Sequence, residues 1–257
     1  MTTKNKNTNK TKNKPFFRFL ERVARGICGK QKFVGIENIP DEPSIIVGNH
    51  AQIYGPWVNQ LFFPHKKRIW VIGHMLHRKE VPEYAFQDFW GYKPKWTHWF
   101  YRMLAHLIAP ICVYIHKNAD TIGVYKDTRG ISTFKNSVQA LKDGSHIVIF
   151  PECHTGFNEI VNEFQDKFVD LARIFHKDTK KEISFVPMYT APKIKTVVYG
   201  KPTKYDCSVP IEEQRKKIVE YLKNEITTTA KDLPVHTVVP YANISKKKYP
   251  KSKTEES

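Results

Sequence analysis

The chain has 257 residues, of which 40% are apolar and 26% charged, proportions typical of a globular protein that buries a substantial core. This composition excludes a collagen, a coiled coil or a wholly disordered chain. The formal net charge of +17 predicts anionic partners or surroundings, whether nucleic acid, phospholipid headgroups or phosphorylated small molecules.

Lysine-rich segments at the two ends of the chain hold part of this charge. Residues 1–14 carry five lysines, and residues 245–257 carry five lysines and two glutamates, which leaves a net charge of +9 for the rest. Tracts of Lys, Asn, Thr and Ser bury too little apolar surface to fold. We therefore predict disordered tails at 1–14 and 245–257 around one folded domain at 15–244. Loose attraction of the tails to an anionic membrane is the alternative interpretation of their charge.

The first predicted element is an amphipathic helix over residues 16–27. Phe16, Leu20, Val23 and Ile27 share one face of this helix, and its arginines lie elsewhere. Such a helix can be a lid packed on the core, or it can lie in a membrane interface with its arginines at the headgroups. The sequence leaves both interpretations open.

From Ser44 onward, short apolar runs alternate with helical patterns. This alternation predicts an α/β fold in which helices flank a mixed, mostly parallel sheet. The predicted strands are 44–48, 68–73, 111–115, 146–150, 183–188 and 195–199, and the predicted helices include 57–63, 131–141, 164–175 and 210–231.

Residues 96–115 come closest to a membrane-spanning segment. They contain two histidines, an arginine and a proline, whereas a span needs about 20 mostly uncharged residues. We interpret the segment as a helix followed by the strand at 111–115. The aromatic residues around its start can line an acyl-chain tunnel or meet a bilayer interface, but core packing is our first expectation. They are Trp90, Trp96, Trp99, Phe100 and Tyr101.

The sequence predicts neither a metal site nor a nucleic-acid partner. The four cysteines lie far apart and form no Cys-x-x-Cys pair, which fits a reducing cytoplasm. His74 and His77 have no acidic or cysteine partner at ligand spacing, so we expect them to be exposed to solvent. No nucleic-acid-binding motif accompanies the positive charge. The N-terminus lacks the apolar core of a secretory signal.

Polar residues follow directly on two of the predicted strands. Asn49 and His50 come after the first strand, and Glu152 follows the strand that ends at Phe150. A βα architecture places its ligand at the carboxyl edge of the sheet. A glutamate at the end of a buried strand is costly unless it is paired or faces a polar cavity, whereas a lone histidine can be purely structural.

A basic turn lies between these two positions in the sequence. It contains Lys126 and Arg129 and leads into a predicted helix. Such a turn can hold a phosphate through charge and the fork of the guanidinium group, or it can be an ordinary surface loop.

The order of these segments resembles that of the phospholipid/glycerol acyltransferase family, the lysophosphatidate acyltransferase-like enzymes. The most specific shared feature is Phe-Pro-Glu after a hydrophobic strand, about a hundred residues beyond Asn-His. The resemblance covers roughly residues 33–200. Gly48-Asn49-His50 resembles the start of the family's Asn-His-x4-Asp motif, Val124-Tyr125-Lys126 stands where the family has an arginine-bearing block, and Phe150-Pro151-Glu152 and Phe185-Val186-Pro187-Met188 are similar to the third and fourth blocks.

The resemblance implies transfer of an acyl chain from a coenzyme A or acyl carrier protein thioester to a hydroxyl of a lysophospholipid or glycerol-phosphate-type acceptor. His50 is then the general base, Glu152 helps to bind the acceptor, and Lys126 and Arg129 bind its phosphate. The implied partners are the lipid acceptor, the acyl thioester or its carrier protein, and an anionic membrane surface, with no bound cofactor. The implied place is the cytoplasm, peripheral on the inner face of the membrane. The remaining substrate-binding positions are Asn49, Phe150, Pro151 and Pro187.

Two departures from the family pattern bear on the activity. Gly55 stands where the family has an aspartate, and Cys153-His154-Thr155 stands where the family commonly has Gly-Thr/Ser-Arg. Catalysis by His50 then requires another acceptor for the second ring nitrogen, such as Glu152, a backbone carbonyl or an ordered water. The alternative is a catalytically silent protein of the same fold that binds lipid or acyl thioester.

Overall fold

The computed structural model describes residues 14–242 and 244–253 and centres on one eight-stranded sheet. The strands are β1 (Lys32–Val34), β2 (Ile45–Gly48), β3 (Lys67–Ile72), β4 (Ile122–Val124), β5 (His146–Ile149), β6 (Ser184–Ala191), β7 (Thr196–Tyr199) and β8 (Thr203–Lys204). Their order is β1-β7-β6-β2-β5-β3-β4, with β8 paired to β6. The β6–β7 and β6–β8 pairs are antiparallel and the other neighbouring pairs are parallel.

The strands β2 and β5 lie at the centre of the sheet and are buried along their whole length. Residues 45–47 pair in register with residues 147–149. Both segments consist of Ile and Val, as is typical of a strand that is covered on both faces. Because the two strands are parallel neighbours, they end at the same edge of the sheet, and the segments that follow them meet there.

Seven α-helices accompany the sheet within the described residues. They are α1 (Pro15–Cys28), α2 (Tyr54–Phe62), α3 (Val81–Ala85), α4 (His98–Asn118), α5 (Gly130–Lys142), α6 (Asp170–Thr179) and α7 (Ile211–Asp232). Helices α5, α6 and α7 share a core with the side chains of Ile45 and Val47, and α2 shares one with Ile46. This division follows from the strand, whose successive side chains point to opposite faces. The predicted α/β class, with helices flanking a mostly parallel sheet, is confirmed.

The strand predicted at 111–115 is wrong, because these residues continue α4. Ala105 and Ala109 are buried, and Cys112 and Val113 join the same cluster against α3. Packing of this face therefore carries the helix past Pro110, where the sequence indicated a break. The edge strand β4 follows instead. Among the described helices, none combines the length and apolar character needed to cross a bilayer.

The C-terminal end of the described chain differs from the tail predicted for 245–257. Residues 246–248 form a 3₁₀ turn, Lys251 pairs with Thr237, and Ser252 is buried. These residues fold back because the main chain from 236 to 238 supplies hydrogen-bond partners for 250–252. Residues 1–13 of the predicted N-terminal tail lie outside the described residues.

Candidate active site

The segments that follow β2 and β5 meet at the carboxyl edge of the sheet, and Glu152 joins them. The backbone N–H of His50 donates a hydrogen bond to Glu152 Oε2. The other carboxylate oxygen accepts a hydrogen bond of 2.9 Å from the backbone N–H of Asn162. Burial raises the pKa of Glu152 to about 7, although these two donors oppose the rise. Glu152 thus holds the residues after β2, here called the His50 loop (residues 49–53), against the segment at 158–164.

The imidazole of His50 is oriented by the main chain of its own loop. Its Nδ1 forms a hydrogen bond with the carbonyl oxygen of Gln52. A carbonyl oxygen can only accept, so Nδ1 carries the proton and Nε2 of the neutral ring keeps its lone pair. Burial lowers the pKa of His50, and the hydrogen bond to Gln52 partly opposes this. The neutral form therefore predominates at neutral pH.

Two consecutive residues with left-handed backbone conformation turn the Gln52 carbonyl back toward the ring. Ala51 has φ of 45° and Gln52 has φ of 57°. A residue other than glycine held in this region costs about 1–3 kcal/mol, so the surrounding structure must fix the turn. The side chain of Gln52 contributes, because its Nε2 donates a hydrogen bond of 2.6 Å to the Tyr249 hydroxyl.

Gly55 lies in the first turn of α2, directly against the His50 loop. Its N–H donates a hydrogen bond of 3.0 Å to the His50 carbonyl oxygen. A Cβ atom at this position would lie 2.7 Å from the carbonyl oxygens of both Asn49 and His50. The loop therefore leaves no space for a side chain at position 55, and the hydrogen-bond partner of His50 Nδ1 is the Gln52 carbonyl oxygen.

Asn49 and Pro187, which we predicted to bind substrate, have structural partners in the sheet. The buried amide of Asn49 donates to the Thr190 carbonyl oxygen at 3.0 Å, and its Oδ1 accepts from the Thr190 N–H at 2.7 Å. Pro187 is buried and pairs with Val47 in the middle of β6, because this strand continues to Ala191. Both side chains are therefore buried within the sheet.

Aromatic side chains enclose the imidazole. The ring centroid of Phe150 lies 5.5 Å and that of Tyr241 lies 5.0 Å from that of His50. Tyr241 also stacks on the ring of His154 at 4.8 Å. Phe150 was among the predicted site residues, and its neighbour Pro151 is buried. Tyr241 was not predicted, since no local pattern links it to a loop almost two hundred residues earlier.

An open cavity of about 300 Å³ borders the His50 loop. Residues of the loop, of the turn after β6 and of the C-terminal segment (residues 233–242 and 244–253) line it. Its lining includes Ala51, Gln52, Lys193, Lys246 and Tyr249. Two lysines at a cavity beside the loop are suited to an anionic group.

Within the described residues, Lys126 and Arg129, the predicted phosphate-binding residues, are not part of the contacts around His50 and Glu152. The guanidinium of Arg129 donates hydrogen bonds to both carboxylate oxygens of Asp127, forms an ion pair of 3.3 Å with Glu80 and stacks on the Tyr125 ring. Lys126 is exposed. Among the hydrogen bonds and ion pairs of residues 14–242 and 244–253, none joins these two cations to His50 or Glu152.

His74 and His77 are exposed to solvent, as predicted, and belong to the same group of contacts as Arg129. His74 pairs with Glu80 at 2.6 Å, and His77 contacts the Tyr125 hydroxyl at 2.9 Å. Within the part of the chain that the structure describes, no three His, Cys, Asp or Glu side chains are grouped so that they could hold a metal ion.

Neither a protein-family model nor a curated protein sequence matches the chain. Among solved structures, it is similar to the crystal structure of the 1-acyl-sn-glycerophosphate (LPA) acyltransferase PlsC from Thermotoga maritima. The TM-score is 0.52 at 14% sequence identity, over 85% of this chain and 81% of that chain. At this identity the similarity shows the fold: the chain has the mixed α/β fold of that acyltransferase.

Proposed function

We propose that the protein is an acyltransferase that moves an acyl chain from a coenzyme A or acyl carrier protein thioester to a hydroxyl of a lysophospholipid or glycerol-phosphate-type acceptor. The observation that carries this proposal is the hydrogen bond between His50 Nδ1 and the Gln52 carbonyl oxygen. It leaves Nε2 as a base without the aspartate that the family motif provides. The fold shared with the LPA acyltransferase structure supports the same reaction class.

In the proposed reaction, Nε2 of His50 takes the proton of the acceptor hydroxyl as its oxygen attacks the thioester carbonyl. The tetrahedral intermediate then collapses, so that the new ester C–O bond remains and the C–S bond breaks. The sulfur leaves with the proton returned by the imidazolium, and His50 ends neutral. A ring held neutral by burial is already in the form that the first step requires.

The Gln52 carbonyl replaces a carboxylate only in part. It selects the Nδ1–H tautomer and the ring orientation, which are essential to a histidine base. It has no net charge, however, so it stabilises the transient imidazolium less than a carboxylate does. We therefore expect proton transfer to His50 to be slower than proton transfer to a histidine supported by an aspartate.

The remaining assignments are proposals of the same kind. Lys126 and Arg129 bind the acceptor phosphate, with Lys193 at the cavity beside the His50 loop as a further candidate. Arg129 would have to exchange part of its contact with Asp127 and Glu80 for the phosphate. The thioester is a substrate and not a resident cofactor, and the protein acts from the cytoplasm at the inner face of the membrane as a peripheral protein.

A second candidate function is binding of lipid or acyl thioester without transfer. The Tyr241 ring favours it, because it packs against the His50 imidazole with ring centroids 5.0 Å apart and so covers part of the ring. Binding without release of free thiol would support this alternative.

The test is release of free thiol from acyl-coenzyme A by the purified protein with a panel of lysolipids. We expect His50→Ala to lower the rate by about 10²- to 10⁴-fold, the usual contribution of a general base. His176→Ala is the matched control, since this ring lies on α6 and hydrogen-bonds the Lys181 carbonyl oxygen. Equal rates for the wild type and His50→Ala on every acceptor would contradict the proposal.

A further inference from the structure

Helix α1 exposes the apolar face that an ordinary surface helix buries. Phe17 is its one buried side chain within the described structure. Phe16, Phe19 and Val23 are exposed, and Ile27 is 76% exposed. The helix therefore packs on the protein through a narrow side and presents most of its large apolar side chains to the surroundings.

Helix α4 also exposes an apolar face, and it does so over a greater length than α1. Its inner face is fixed by the buried Ala105 and Ala109. The outer face carries apolar side chains where a solvent-facing helix carries polar ones, and Leu107 is 62% exposed. Trp96 and Trp99, at the start of the helix, are 79% and 69% exposed. The expectation that these tryptophans pack in the core is therefore wrong.

The two apolar faces adjoin. The ring of Phe16 contacts that of Tyr114 with centroids 5.6 Å apart, and Lys14 Nζ donates a hydrogen bond of 2.8 Å to the Asn118 carbonyl oxygen. The start of α1 thus lies against the end of α4, and their exposed side chains form one surface, here called the α1–α4 surface. Its apolar members are Phe16, Phe19, Val23, Ile27, Trp96, Trp99, Phe100, Met103, Leu107 and Ile111.

The charges on the two helices of this surface are almost all positive, although Arg102 pairs with Glu83 of α3 at 3.2 Å and Lys14 pairs with Asp120 at 3.7 Å. Residues 92–118 contain two lysines before α4 and Arg102 and Lys117 within it, and no Asp or Glu. Residues 14–28 contain Lys14 and three arginines against a single acid, Glu21. Exposed apolar side chains beside cations, with tryptophans at one end, match the layered chemistry of a bilayer surface with anionic lipids.

We propose that the α1–α4 surface binds an anionic phospholipid bilayer, with α1 and α4 lying in the plane of the interface. An α4 of 21 residues is about 30 Å long and would rest along the membrane. Leu107 and Ile111 enter the acyl-chain boundary, Trp96 and Trp99 lie at headgroup depth, and the cations contact lipid phosphates. This surface is independent of the chemistry proposed for His50.

The test is flotation of the full chain, without acyl donor, on vesicles of phosphatidylcholine mixed with phosphatidylglycerol. We expect Leu107→Asp and Ile111→Asp each to lower the bound fraction at least about tenfold, because each places a charge among the acyl chains. Ile131→Asp is the matched control, since Ile131 on α5 is 77% exposed and lies outside the surface. Vesicles of phosphatidylcholine alone should bind at least about fivefold more weakly.

The other outcomes overturn the proposal. Wild-type binding by Leu107→Asp, or an equal loss in Ile131→Asp, excludes this surface as the membrane contact. If the wild type does not bind vesicles but dimerises in solution, and Leu107→Asp is monomeric, then the surface binds a second copy of the chain and not a membrane. His50→Ala should bind vesicles like the wild type. The proposal for membrane binding and the proposal for catalysis can therefore be contradicted independently of each other.

Discussion

At the residue scale, Gly55 decides how the His50 loop is built. A methyl group there would meet two carbonyl oxygens at 2.7 Å, although Gly→Ala within a helix ordinarily stabilises by about 0.5–1 kcal/mol. We expect Gly55→Asp and Gly55→Ala each to lower the free energy of unfolding by about 1–3 kcal/mol and to reduce activity. An aspartate at this position, as in the family that the sequence resembles, would then not support catalysis by His50. Urea denaturation and thiol release measure the two effects.

Gly26 in α1 is the matched control for this prediction. Nothing lies within 4 Å of a Cβ at that position, so Gly26→Ala should stabilise the protein. A Gly55→Asp variant that is both as stable and more active than the wild type would show that the loop accommodates a carboxylate.

The raised pKa of Glu152 predicts that the stability of the protein depends on pH. Its pKa is about 7 in the folded state and near 4.5 when unfolded, so the folded protein holds this proton more tightly. The contribution of Glu152 to stability is present below pH 4.5 and is lost, by about 3 kcal/mol, as pH rises through 7. We expect the free energy of unfolding of the wild type to fall by this amount relative to that of Glu152→Gln between pH 4.5 and 8.

The comparison with Glu152→Gln is needed because other groups titrate in the same range. Burial lowers the pKa of His146 to about 4, and this group contributes a stability that is lost as pH falls. A constant difference between the wild type and Glu152→Gln across this range would contradict the raised pKa.

At the element scale, the C-terminal segment covers the site. Tyr241 packs on His50, and Tyr249 hydrogen-bonds Gln52 in the loop that orients the ring. We expect Tyr241→Ala to admit water and to raise the pKa of His50 toward its ordinary value, since burial is the main cause of the lowering. An NMR titration of the imidazole, assigned with His50→Gln, measures this shift.

The same titration reports the tautomer of the ring. The nitrogen chemical shifts of neutral His50 should be those of the Nδ1–H form, because the Gln52 carbonyl accepts its proton. Tyr92→Ala is the control for Tyr241→Ala, as Tyr92 is exposed on the segment before α4. An unchanged pKa in Tyr241→Ala would show that the aromatic cover does not control hydration of the ring.

At the scale of the whole molecule, apolar side chains serve two different purposes. Leu222 of α7 is fully buried against the sheet, whereas Leu107 of α4 is mostly exposed. We expect Leu222→Ala to lower the free energy of unfolding by about 2–5 kcal/mol and Leu107→Ala to change it by less than about 0.5 kcal/mol. Urea denaturation of the two variants measures the difference. A large loss in Leu107→Ala would place this residue in the folding core and remove the basis for a membrane surface.

Local sequence patterns were sufficient to predict the parts of the fold that depend on residues close together in the sequence. The alternation of apolar strands and amphipathic helices predicted the α/β sheet, because burial of one helix face or both strand faces imposes these periods. The placement of His50 and Glu152 after predicted strands followed from the same logic, since a βα fold places its ligand at the carboxyl edge of the sheet. The error at 111–115 arose where packing of α4 on α3 overrode a proline.

Sequence alone therefore determined the class of fold and the placement of His50 and Glu152 after strands, because both follow from periodic burial along the chain. That these two strands are neighbours was decided by the tertiary structure. Only the tertiary structure decided what orients His50 and what covers it. The Gln52 carbonyl belongs to the main chain, and its direction depends on two left-handed residues that no side-chain pattern specifies. Tyr241 reaches the ring through the folding back of the C-terminal segment, and the exposure of α1 and α4 depends on which of their faces find partners.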